Sequence, residues 1–105
     1  MIDLAPKDLL TVLQILQTHV PDYEVRAFGS RYHHTAWKYS DLDLAVVGAA
    51  RLPFATLAAV RIAFEESDLP FRVDVLDWHT LSPEFQQVIA QGYETIYTPQ
   101  TQAQP

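Results

Sequence analysis

A small α/β domain, a mixed β-sheet with helices packed on one face and carboxylates on the other, is the architecture this sequence predicts. Two patterns carry that expectation. Apolar residues recur at helical spacing in the longer segments and alternate at a period of two in the shorter ones. The chain has 105 residues, 49% of them hydrophobic, and no repeat or linker interrupts it, a size that suits one core.

Pro6 to Val20 reads as the first helix. Leu9, Val12, Leu13, Leu16 and Val20 form one stripe, widened by Leu10 and Ile15. Pro6 suits the first turn, Asp8 the positive end of the helix dipole, and Pro21-Asp22 ends it. The stripe is wide enough for a partner or dimer contact, although a core-facing helix explains it nearly as well. Glu24 to Phe28 is a short strand closed by Gly29-Ser30. Arg31 to Leu42 has no clear period. From Asp43 to Val47 a second strand runs, with Leu42, Leu44 and Val46 on one face and Asp41, Asp43, Ala45 and Val47 on the other.

A second helix is expected from about Pro53 to Glu66, burying Phe54, Leu57, Val60 and Phe64. Phe71 to Asp77 is a third strand, with Phe71, Val73 and Val75 opposite Arg72, Asp74 and Leu76. Ser82-Pro83-Glu84 has the chemistry of a helix start, and Gly92 suits a left-handed cap at its end. Glu94 to Tyr97 adds a closing strand. Residues 1–97 are thus expected to form a single domain, with a flexible polar tail over 98–105.

Composition excludes several chemistries. Without Cys there is no disulfide scaffold, thiol nucleophile or Cys-based zinc site. Gly29, Gly48 and Gly92 are the only glycines, too few for a dinucleotide fingerprint or a P-loop. Seven Lys and Arg against thirteen Asp and Glu give a charge of −6, which argues against an extended nucleic-acid surface. No apolar run approaches the roughly 20 residues of a membrane span, and Met1 opens no signal-peptide pattern. The expectation is a soluble cytoplasmic domain.

The candidate chemistry lies in three short stretches. Asp41 and Asp43 leave the same face of a strand, and Asp74 stands on what should be its neighbour. Three converging carboxylates repel one another unless a cation or protons hold them, and a hard divalent cation such as Mg²⁺ suits an all-oxygen set. The plainer reading has Asp41 capping a turn, Asp43 solvated and Asp74 paired with Arg72. Two upstream features outweigh it. Gly29-Ser30 follows a strand directly, a place where backbone N–H groups and a hydroxyl can hold phosphate. Between Val25 and Ser40 there is no acid, yet Arg26, Arg31 and Lys38 fall there beside His33 and His34. Cations beside metal-binding carboxylates are what phosphoryl transfer uses. Trp37 and Tyr39 are equally suited to stack on a base or to anchor an interface.

Gly29-Ser30-Arg31, Ser40-Asp41-Leu42-Asp43-Leu44 and Val73-Asp74-Val75 together resemble the minimal nucleotidyltransferases of the DNA polymerase β superfamily. The resemblance covers roughly residues 6–97. It implies that Asp41, Asp43 and Asp74 are the catalytic and metal-binding carboxylates, holding two Mg²⁺, with Asp74 helping to activate the attacking group. Gly29, Ser30, Arg31, Ser40 and Lys38 would bind the nucleotide, with ATP as donor. Stand-alone members resembling this chain are antitoxins that adenylylate a tyrosine of a helical HEPN-domain toxin. The resemblance therefore implies a HEPN partner, and leaves a homodimer open when the chain is alone. The family's second Arg and second Gly positions are His33 and His34 here. That departure motivates the alternative: a catalytically weak module that neutralises its partner by binding alone.

Overall fold

The computed structural model describes residues 1–99. In chain order the elements are α1 (Pro6–His19), β1 (Glu24–Phe28), α2 (Ser30–His33), β2 (Leu42–Val47), α3 (Phe54–Glu65), β3 (Val73–Asp77), a 3₁₀ turn (Trp78–Thr80), α4 (Pro83–Ala90) and β4 (Glu94–Tyr97). From Gln100 onward the expected tail lies outside the described residues. Among the described residues no helix is long and apolar enough to cross a membrane.

The four strands form one mixed sheet in the order β3-β2-β1-β4. β1 runs antiparallel to β2 and to β4, while β2 and β3 are parallel. A parallel pair needs a long crossover, and α3 supplies it. The period-two reading of β2 and β3 fits the packing. Leu42, Leu44, Val46, Val25, Ala27 and Val75 face α1 and α3 in the main core, where Val12, Leu16, Val60 and Phe64 meet them. Most of the wide stripe of α1 is thereby used on the core, with Leu10 left exposed.

Three expectations are corrected. α4 does not join α1 and α3: its Ile89 packs with Phe28 and Ala45 on the opposite face, which the helix shares with the carboxylates. Phe54 is 86% exposed rather than buried, because at 100° per residue it sits about 120° around α3 from Val60. Gly92 carries no left-handed cap; its φ is not positive, and the last turn of α4 closes through Gln91. Its missing side chain instead leaves room for Tyr32 and His33, which a Cβ there would meet at 2.9 and 3.0 Å. The start of α4 is as its sequence suggests, with Ser82 Oγ accepting from the Phe85 N–H at 3.1 Å.

Candidate active site

The site begins at the end of β1. Antiparallel register sets Phe28 opposite Asp43, so the chain leaves β1 beside that carboxylate. It must turn at once, and Gly29 does so with φ 78° and ψ −154°. A Cβ on Gly29 would land on Asp43 Oδ2. Glycine is therefore required twice: for its backbone angles, which other residues rarely adopt, and for the close approach. Ser30 then opens α2, a single turn absent from the sequence reading because four residues carry no period. The second Gly position of the resembled pattern, His34, closes α2 with φ 59°, a conformation that explains why glycine suits it.

Parallel register places Asp43 of β2 directly opposite Asp74 of β3. Asp43 is half-buried, and its carboxyl is pushed up from 3.8 to about 6, first by burial and then by the charges of Asp74 and Asp41. No base offsets them. Among the described residues the ion pairs are Met1 with Glu94 and Arg26 with Glu24, so the expected alternative pairing of Asp74 with Arg72 does not form. Asp41 and Asp74 are themselves exposed. Among the described residues no three acidic or imidazole side chains make a ready-made metal cage. Mg²⁺ does not need one, since it usually keeps waters and takes one or two carboxylates plus substrate phosphates. An all-oxygen, mutually repelling and uncompensated acid cluster fits that ion.

The cationic side of the site is smaller than the sequence suggests. Arg26 is held by Glu24 Oε2 at 2.7 Å and lies over the rings of Trp78 and Tyr93. Arg31, expected among the nucleotide ligands, is only 6% exposed. Its Nε and NH2 donate to the Ser40 carbonyl at 3.0 and 2.8 Å, NH2 also to Lys38 at 3.2 Å, and NH1 to Asp3 at 2.9 Å. The guanidinium also lies over the Phe71 ring at 4.2 Å. These bonds correct its role: Arg31 fixes the approach to Asp41 from inside. Lysine cannot make this fork or stack in this way. Arg31→Lys should lower stability by about 2 kcal/mol, read from the urea midpoint. A phosphate ligand would instead leave that midpoint unmoved and raise KM for ATP.

Lys38, Trp37 and Tyr39 remain at the surface. The two rings meet edge to face with centroids 5.8 Å apart, and the Lys38 ammonium lies 5.4 Å from the Tyr39 ring. Ser40 Oγ accepts from the Trp37 N–H at 3.0 Å and keeps its own proton free to donate. Two residues missed by sequence reasoning also shape the region. Asp77 is buried, its oxygens accepting from the Leu52 and His79 N–H groups at 2.9 and 3.1 Å. Arg61 donates through Nε and NH2 to the Val75 carbonyl at 3.0 and 2.7 Å on the edge of β3. The Leu52 and Val75 partnerships are not local in sequence, and no spacing signals them.

Comparison with known proteins gives the family and the fold. Residues 11–102 match the family model described as "Polymerase beta, Nucleotidyltransferase". A protein of Haemophilus influenzae named "Probable protein adenylyltransferase MntA" is 48% identical over 95 residues, 90% of this chain and 83% of that protein. Among solved structures, a toxin–antitoxin crystal structure with AMP-PNP is similar with a TM-score of 0.71 at 22% identity, covering 90% of this chain and 76% of that one. A tri-AMPylated HEPN toxin in complex with MNT antitoxin, from Shewanella oneidensis, gives a TM-score of 0.65 at 20% identity, covering 91% and 74%. At those identities the structures speak for the fold.

Proposed function

Because the chain belongs to the polymerase beta nucleotidyltransferase family, we propose that it moves AMP from ATP to a tyrosine hydroxyl of a HEPN-domain partner, which that modification silences. The observation that carries the reading is the register of three adjacent strands. It brings the Gly29 turn against Asp43 and sets Asp43 opposite Asp74.

In this reading residues 1–97 act as one nucleotidyltransferase unit. Gly29 and Ser30 hold the triphosphate through the backbone of the turn and the Ser30 hydroxyl, the Tyr32 and His33 N–H groups being already taken by the Gly29 carbonyl. Ser40 and Lys38 add a hydroxyl donor and an exposed charge. Asp41, Asp43 and Asp74 would hold Mg²⁺, two ions in this proposal. When bound, the metal neutralises charge at the reacting phosphate. The tyrosine oxygen attacks the α-phosphorus, the bond from that phosphorus to the bridging oxygen breaks, and pyrophosphate leaves. Asp74, the exposed carboxylate on the edge strand, takes the hydroxyl proton.

Purified chain, labelled ATP, Mg²⁺ and the HEPN-domain partner test this directly. Label on a partner tyrosine, absent with Asp41→Asn, is the expected result. Tight binding of the partner without label would favour action by binding alone.

Asp43 also makes metal binding depend on pH. Protonation removes the ligand, so apparent Mg²⁺ affinity should fall about tenfold per unit once the pH drops below about 6. Calorimetric titration at pH 5, 6 and 7.5 checks this. An affinity that does not change with pH would take Asp43 out of the ligand set.

A further inference from the structure

The outer face of α3 is apolar where a solvated helix is polar. Val60 and Phe64 enter the core, so at 100° per residue Ala55, Ala58 and Ile62 point away from it, with Phe54 at the free end of the same stripe. Phe54 is 86% and Ile62 52% exposed. Arg61 borders the stripe, but its guanidinium is drawn off to the Val75 carbonyl at 2.7 Å and leaves the stripe uncharged. α1 covers the same side of the sheet, yet its exposed Lys7, Gln14, Gln17 and Thr18 are polar, as an outward helix face should be.

The ends of the stripe carry charges the wrong way round for a lone helix. Arg51 stands just before the positive N-terminal end of α3, while Glu65 and the capping Glu66 stand at its negative end. All three are exposed, and among the described residues none of them is in an ion pair. An antiparallel copy of the same helix reverses each of these placements. With a twofold axis at Ala58, residues equally far before and after it face each other. Phe54 then meets Ile62 of the second copy, Ala58 meets its own counterpart, and Arg51 meets Glu65. The alanines let the two helix axes approach closely. A parallel pairing would set Arg51 against Arg51 and Glu65 against Glu65, so charge selects the antiparallel one.

We infer that this face of α3 binds a second copy of the chain, giving an isologous dimer with antiparallel α3 helices. Charge complementarity across the axis names the occupant. α3 and the carboxylates lie on opposite sides of the sheet, so both sites of the dimer stay open to substrate and to a HEPN-domain partner. A helix of 12 residues is about 18 Å long, which makes a small interface of the weak, reversible class. The dimer goes beyond the transfer reading and holds whether or not the chain transfers AMP.

Sedimentation velocity on the full chain from about 1 to 300 μM should show a monomer–dimer equilibrium with a Kd on the order of 10–100 μM. Phe54→Ser removes a ring that supports no core, and should raise that Kd at least about tenfold without lowering Tm. Arg51→Glu and Glu65→Arg should each weaken the dimer, and the double variant should restore it. A chain monomeric throughout this range, a dimer unchanged by Phe54→Ser, or a double variant no better than the single ones would overturn the assignment. The absence of Cys allows a direct reading of the axis. In helices packed about 8–10 Å apart, facing residues at the axis bring their Cα atoms to about 3–5 Å, within range of a disulfide. Ala58→Cys should therefore oxidise to a covalent dimer, while Gln87→Cys, exposed on α4, should stay monomeric. Cross-linking through position 87 and not through 58 would overturn the assignment. Adding the HEPN-domain partner should leave the link at position 58 intact; its loss would give the face to that partner and overturn the homodimer.

Discussion

Asp43→Asn should lower adenylyl transfer by at least about a thousandfold, some 4 kcal/mol of transition-state stabilisation, and yet leave the fold as stable as before or more so. The two effects have one cause. Asp43 sits half-buried between two other acids with no basic partner, and its carboxyl is raised from 3.8 to about 6. A raised carboxyl favours folding while it is protonated. That contribution is complete below 3.8 and is lost as the pH climbs through 6. At pH 7.5 without metal the folded protein therefore holds a repelled charge. Its cost, discounted for solvent screening of a half-exposed group, is on the order of 1 kcal/mol. Asparagine removes the charge and keeps the shape. Urea midpoints without Mg²⁺ should favour the variant at pH 7.5 and converge with the parent near pH 4. A variant less stable at pH 7.5 would show that Asp43 holds the fold together rather than the metal.

The site's carboxylates are legible in the sequence because their placement depends on local periodicity. Alternation through Leu42–Val47 and Val73–Asp77 assigns Asp43 and Asp74 to one face, and parallel register then sets them side by side. Gly29 is legible for a similar reason, since a glycine directly after a strand marks a turn. Arg31 is not. Its charge suggests phosphate, but its role is set by the Asp3 carbonyl, far back along the chain, and by Phe71, far ahead. Arg26 misleads in the same way, its charge being taken up by Glu24 and two rings brought in from the C-terminal third. The side on which α4 packs is also hidden. A helical stripe shows which face is buried but not which side of the sheet buries it. Periodicity thus recovers positions along a strand, while long-range partners decide what a charge does.

Gly29→Ala should damage the protein more than the loss of one hydrogen suggests. The backbone at φ 78°, ψ −154° lies in a region essentially restricted to glycine, and holding alanine there costs about 1–3 kcal/mol. The new methyl must also displace Asp43 Oδ2. A domain of this size should lose on the order of 10 °C in Tm. Transfer should fall by about a hundredfold or more, since moving a catalytic group by 1 Å can cost that much. A double-mutant cycle separates the two contributions. In an Asp43→Ala background the methyl no longer meets a carboxylate, so Gly29→Ala should retain only its backbone cost. The stability coupling between the sites should then reach about 0.5–3 kcal/mol, as for residues in direct contact. Strict additivity would mean that the turn and the carboxylate are independent. The close approach of Gly29 to Asp43, on which the proposed meeting of nucleotide phosphate and metal-binding acids rests, would then have no energetic basis.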